Sequence, residues 1–156
     1  MRAVVQRVTK AAVIIDGQLE SSIGRGLCVL LAISAEDAVS DIEYMVRKLL
    51  AIRVFPNAET GRRWDKSVKD MELEILCVSQ FTLYGFLKGN KLDFHRSMAP
   101  ADSRQFYESF MDELRRAYVP ERIKDGRFGA MMNVQIENDG PVTVILDSKN
   151  RDCDCM

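Results

Sequence analysis

Two short polar clusters interrupt the apolar runs of this chain where chemistry could be carried out: Ser79-Gln80-Phe81-Thr82-Leu83 and Asn138-Asp139-Gly140-Pro141-Val142-Thr143. Ser79 and Thr82 carry hydroxyls, which attack an acyl carbon when a neighbouring base takes their proton. A hydrolase of the familiar triad kind draws that base from histidine. The single histidine, His95, lies in Asp93-Phe94-His95-Arg96, beside a cation that disfavours its protonation. No Gly-x-Ser-x-Gly elbow is present. His95 therefore reads as a polar loop residue.

A catalytic metal would be left with carboxylates alone, and no paired acidic motif organises them, so no metal is expected. Gly24-Arg25-Gly26 has neither Walker spacing nor the dinucleotide fingerprint, and no ATP, NAD or other cofactor is expected. Cys28 and Cys77 each sit within an apolar run and read as small buried hydrophobes. Cys153 and Cys155, one residue apart near the C-terminus, fall short of a four-ligand zinc site. Elimination returns the argument to the two polar clusters. Even there, strand-borne Ser and Thr are ordinary β-formers, and Gly-Pro is an ordinary turn.

The elements that must position these clusters are legible in outline. Residues 3–8, 12–15 and 27–33 are short β-rich runs, with Asp16-Gly17 a hairpin signal. Ser40-Asp41-Ile42-Glu43 has the form of a capping box. Ile42, Met45, Val46, Leu49 and Leu50 then recur at helical spacing, which predicts a helix over 41–53. Residues 57–70, polar and holding Gly61 and Trp64, read as a loop. Residues 71–83 read as a long β-rich run, and 85–100 as an irregular connection. Pro100 opens a second helix with Phe106, Tyr107, Phe110, Met111, Leu114 and Tyr118 on one face, and Pro120 ends it. Residues 130–136 and 142–146 predict two strands meeting at a tight turn. The order predicts an α+β domain, a mainly antiparallel sheet or barrel packed by two helices.

Composition fits that picture. With 156 residues, 47% of them hydrophobic, the chain suffices for one core, so a single domain over 1–148 and a flexible tail over 149–156 are expected. The N-terminal stretch lacks a signal peptide's uninterrupted apolar region, and no run reaches the roughly 18 residues that span a bilayer, so a cytoplasmic location is the default expectation. A net charge of −1 argues against general coating of duplex nucleic acid. Local basic groups exist at Arg62, Arg63, Lys66 and Lys69, at Lys88 and Lys91, and at Arg122, Lys124 and Arg127; solvated surface is their default reading.

Together, the two clusters resemble the paired signatures of the D-aminoacyl-tRNA deacylase family, Ser-Gln-Phe-Thr-Leu and Asn-x-Gly-Pro-Val-Thr. The likeness extends through Met1-Arg2-Ala3-Val4-Val5-Gln6-Arg7-Val8, Gly24-Arg25-Gly26, Lys88-Gly89-Asn90-Lys91 and the run from Lys124 to Ala130, and covers nearly everything but the tail. It implies a homodimer in which each subunit inserts Gly140 and Pro141, joined by a cis bond, into its partner's active site. X-Pro bonds and glycine tolerate that geometry. Backbone carbonyls held there would accept the ammonium group of an aminoacyl ester and leave no space for an L side chain. D-amino acids would be admitted, and achiral glycine would not be excluded.

The resemblance further implies that Arg7 braces the Gly-Pro loop and that Phe128 and Met132 line a pocket for the terminal adenine of the aminoacyl-tRNA acceptor end. Nothing near Thr82 in sequence could deprotonate it. The implied mechanism is therefore attack by water assisted by the RNA's own 2′-hydroxyl, with backbone N–H groups around Phe81 and Thr82 holding the oxyanion and Ser79 and Gln80 shaping the pocket. Two other readings compete: a non-catalytic nucleic-acid-binding module acting in DNA replication through the basic clusters, and a small-molecule esterase using Thr82 or Ser79.

Overall fold

The computed structural model describes residues 1–151, and its organising element is the first strand. Buried Val, Ala and Ile alternate with more exposed residues toward both ends of β1 (Arg2–Ile15), the period of a half-buried strand. The two expected runs are one strand, because Lys10 pairs with Glu137 and resumes the ladder after an irregularity at Thr9. Asp16 and Gly17, both at positive φ, turn the chain into β2 (Gln18–Ile23), the hairpin that Asp-Gly signals. β3 (Gly26–Ala32) then runs antiparallel to the first half of β1. It starts hard against the backbone of Glu74: a Cβ on Gly26 would lie 1.9 Å from the Glu74 carbonyl oxygen, so only glycine fits.

Helix α1 (Val39–Ala51) carries the chain over the sheet to β4 (Glu74–Ser79), which lies parallel to β3. A small hairpin follows, β5 (Phe86–Lys88) and β6 (Lys91–Asp93), turning at Gly89-Asn90 inside the stretch expected to be irregular. Helix α2 (Pro100–Ala117) makes the second crossover, to β7 (Ile123–Asp125), parallel to β4. β8 (Asn133–Asp147) returns along the free edge of β1. Ser21 of β2 donates its hydroxyl to the Asp125 carbonyl at the end of β7 (2.6 Å), so the mixed sheet curls almost closed. The α+β architecture with two helices is the one the sequence predicts; the parallel pairs come from the two helical crossovers.

Side-chain alternation divides the core in two. Ala3, Val5, Leu27, Val29, Ile75 and Cys77 face Met45, Leu49, Tyr107, Phe110 and Leu114 of the helices. Val8, Val13, Cys28, Leu76 and Val78 fill the inside of the curl. β3 and β4 are buried on both faces, which explains their unbroken apolar sequences. No helix among the described residues is long and apolar enough to cross a membrane.

Three expectations are corrected. The run 71–83 is a strand only over Glu74–Ser79; Glu72 has positive φ in the turn before it, and a 3-10 helix, Phe81–Tyr84, follows it. The two strands expected to meet at a tight turn over 138–141 are one strand, because both halves of β8 pair in the same antiparallel sense with β1. The helix expected over 41–53 begins at Val39, and its cap is not the Ser40-to-Glu43 box. Asp41 instead accepts the Ala38 N–H at 2.8 Å.

Asp41 is also where the last of the described residues are fastened. Its side chain is 1% exposed and receives Lys149 Nζ at 2.9 Å, while Arg151 Nε donates to the Ser148 carbonyl at 2.6 Å. Cys153 and Cys155 of the expected tail lie outside the described residues. Burial opposes ionisation of Asp41, but Ser148, the Ala38 N–H and Lys149 outweigh it and hold the carboxyl well below the usual carboxylate range. With the folded value depressed, this stabilisation is present above the unfolded carboxylate pKa of about 4 and is lost as pH falls through the folded value. Asp41→Asn is expected to lower the unfolding free energy at neutral pH by about 2 kcal/mol, and the deficit to shrink below about pH 4. Urea titrations at a series of pH values check both.

Candidate active site

β3 and β4 end side by side, with Leu31 paired to Ser79, and the chain diverges beyond them. Crevices open where parallel strands end and their connections part. Here the opening is a largely apolar pocket of about 420 Å³. Leu31, Ala32 and Ile33 form one wall, Ser79, Gln80 and Phe81 another, and Phe94, Ser97, Met98, Pro100, Ser103, Phe128 and Gly129 complete it.

The first cluster is built by the end of a ladder. Gln80 N–H makes a last bond to the Leu31 carbonyl (2.7 Å), after which the chain winds into the 3-10 helix, with Leu83 N–H bonded to Gln80 O (3.2 Å) and Gly85 N–H to Thr82 O (2.9 Å). The N–H groups of Phe81 and Thr82, at the start of that helix, have no partner among the described residues. Arg2 fixes the helix's far end: Nη1 donates to the Leu83 carbonyl (2.8 Å), Nε to Asp147 (3.2 Å), and the guanidinium lies 4.5 Å from the Tyr84 ring centroid. Phe81 is 56% exposed, its ring edge-on to Phe94, and its carbonyl accepts the Ser97 hydroxyl.

Thr82 has no base. Its Oγ1 accepts a hydrogen bond from Gln80 Nε2 (2.5 Å), and a neutral amide cannot take a proton. His95 Nδ1 contacts Asp93, whose carboxylate also meets Lys88 Nζ at 2.7 Å, so the histidine is engaged at the foot of the small hairpin. Burial pushes the Cys28 thiol up to about 11 and holds the Cys77 thiol well above its ordinary value, leaving both protonated and unreactive.

The second cluster is a bulge. Thr143 pairs with Gln6 and Asn138 with Val8, so residues 139–142 stand opposite Arg7 alone. Arg7 Nε donates to the Asp139 carbonyl (3.3 Å) and lies 3.2 Å from its carboxylate, and Nη1 donates to the Val54 carbonyl (2.7 Å). The Gly140-Pro141 bond is cis, Gly140 has φ +118°, and a Cβ there would press on Val142 (3.1 Å) and Arg7 (3.2 Å). Thr143 spends its hydroxyl on Gln6 (2.6 Å). Gly140 and Pro141 are exposed, and none of Arg7, Gly140 and Pro141 lines the pocket of its own chain.

Phe128 lines the pocket and packs on Tyr107 (centroids 5.6 Å apart), whose hydroxyl donates to Asp125 (2.7 Å). Burial holds the Asp125 carboxyl above its ordinary value. Met132 does not line the pocket. It packs into the curl of the sheet, its sulfur accepting the Arg127 N–H (3.5 Å) and lying where a Cβ on Gly126 would come within 2.7 Å. Sequence reasoning missed Arg2, Phe94, Ser97, Met98 and Pro100 as site residues; Arg2 sits in the N-terminal run and Pro100 at a helix start, neither of which marks a site role, and the other three carry no local motif.

The chain matches the family model described as D-Tyr-tRNA(Tyr) deacylase over residues 4–147. It is 58% identical to D-aminoacyl-tRNA deacylase 1 of Homo sapiens over 148 residues, 95% of this chain and 70% of that protein. It is 50% identical to the D-aminoacyl-tRNA deacylase of Dictyostelium discoideum over 151 residues, 97% of this chain and 100% of that one. A solved structure of the c-Myc DNA unwinding element binding protein is similar with a TM-score of 0.91 at 57% identity, covering 94% of this chain and 98% of its own. With both signatures seated on a shared fold and the match running nearly end to end, the chain belongs to the D-Tyr-tRNA(Tyr) deacylase family.

Proposed function

We propose that the protein hydrolyses the ester bond of D-aminoacyl-tRNA, releasing free tRNA and the D-amino acid. The observation that carries this reading is the pair of N–H donors on Phe81 and Thr82, unpartnered among the described residues, at the helix start whose Phe81 lines a pocket with no side-chain base among its described lining residues. Donors fixed before the substrate arrives stabilise the oxyanion of an acyl transition state without reorganisation. Proton handling then falls to the substrate: the terminal ribose 2′-hydroxyl orients the attacking water, and the ester C–O bond breaks with the ribose oxygen leaving as a hydroxyl. The apolar pocket, with Phe128 on its wall, takes the terminal adenine. Ser79 and Gln80 shape the wall beside Phe81.

The chirality gate in this reading is Gly140-Pro141 from a second copy of the chain. Supporting it, the dipeptide is exposed on a bulge, held by Arg7, and away from the pocket of its own subunit. Its carbonyls would receive the substrate ammonium and exclude any L side chain, whereas glycyl-tRNA, with no side chain to clash, would also be cleaved. One relative's name speaks of DNA binding instead. A pocket of about 420 Å³ and a net charge of −1 favour the end of an RNA over the length of a duplex.

Incubation with matched D-tyrosyl- and L-tyrosyl-tRNA is expected to release only the D-amino acid; release from neither overturns the reading. Thr82→Ala is expected to keep kcat/KM within about tenfold of wild type, whereas losing a true nucleophile costs on the order of 10⁴ or more. Single-turnover rates decide. Gly140→Ala, crowded and at a φ that L residues rarely adopt, is expected to lose about 1–3 kcal/mol of stability and on the order of a hundredfold in deacylation. A thermal melt and a rate measurement on the same sample check that pair; undiminished D-specific turnover would remove the gate from Gly140.

A further inference from the structure

Resting on the reading above, we propose that Arg104 binds the phosphate preceding the terminal nucleotide, holding the nucleic-acid backbone while the pocket holds its end. Arg104 projects from the second turn of α2, beside Ser103 of the pocket lining. Its guanidinium lies 5.3 Å from the Phe128 ring centroid, and Nη2 is 3.5 Å from the Phe128 carbonyl. The neighbouring Gly129, also on the pocket wall, would place a Cβ 3.7 Å from the same nitrogen. The cation is therefore spread over the rim at Phe128 and Gly129.

The charge there is uncommitted. Among the described residues Arg104 has no carboxylate partner, whereas Arg127 is tied to Glu20 (2.7 Å) and Lys88 to Asp93 (2.7 Å). Asp102 borders a different groove with Gln105 and Phe106, and Glu108, one turn along the same helix face, makes no ion pair with Arg104. A guanidinium offers five N–H donors in a planar fork suited to phosphate, and its one bond here is long. The contacts with the Phe128 ring and carbonyl hold the guanidinium at the rim before any ligand arrives, which reduces the ordering that binding must impose. A nucleoside seated base-first in the pocket carries one anionic attachment, its 5′ phosphodiester, and that group emerges at the rim. The sequence offered no sign of this, because Arg104 lies outside every motif and on the exposed side of its helix.

The inference is tested by binding alone, so its outcome is independent of catalysis. Dissociation constants for the trinucleotide CCA, the shared 3′ end of tRNA, and for adenosine are measured with wild type, Arg104→Ala and Arg104→Lys. Arg104→Ala is expected to weaken CCA by about tenfold, leave adenosine unchanged, and make the slope of log affinity against log salt shallower by about 0.7. Arg104→Lys is expected to restore the slope and part of the affinity. Equal weakening of CCA and adenosine would mean that Arg104 only braces Phe128, and that result, an unchanged CCA affinity, or no CCA binding by wild type overturns the proposal. Failure of the deacylase reading would show separately, as absent ester cleavage by a protein that still distinguishes CCA from adenosine through Arg104.

Discussion

The bond from Gln80 N–H to the Leu31 carbonyl, 2.7 Å long, is the last rung of the parallel ladder between β3 and β4. Everything at the pocket depends on where that ladder stops. Up to Ser79 the backbone of β4 is paired with β3; beyond Gln80 the chain coils, and the donors of Phe81 and Thr82 are left without a partner among the described residues. The apolar character of β3 and β4 holds the rung in place from both faces, and the close approach at Gly26 sets the register at the other end. The site is in this sense an interrupted piece of secondary structure.

β1 acts as the ruler for both clusters. Arg2 secures the end of the 3-10 helix and Arg7 secures the Gly-Pro bulge. These anchors are five residues apart on a strand that pairs regularly with β3, which separates them by roughly 17 Å. An odd spacing also sends the two side chains to opposite faces. One strand thus holds both clusters rigidly while keeping them apart.

What the sequence disclosed and concealed follows the range of the forces involved. Asp16-Gly17 and the Pro100 helix start are local signals, decided by φ preferences, and the structure agrees with both. The polar clusters stood out because Ser79, Gln80 and Thr82 break an apolar run. The break in the run 71–83 was hidden, since it depends on Leu31 and Arg2, distant in sequence. Asn138 to Pro141 has the local composition of a turn, yet β1 dictates that the strand continue past it. Ser40 and Glu43 likewise matched a capping pattern two residues out of phase with the helix start that Asp41 supports. Met132 is a pocket residue only by resemblance; just ahead of β8, it packs against the inner core cluster and the Gly126 backbone instead.

The bulge has a consequence for solubility. β8 is long, bonded along one side only to β1, and carries exposed apolar residues such as Ile145. An uninterrupted edge of that length invites strand after strand to add to it, the route to open-ended aggregation. Residues 139–142 break the edge near its middle, and Pro141 has no N–H to offer an incoming strand. The same irregularity that displays Gly140 therefore also keeps this edge from becoming a template.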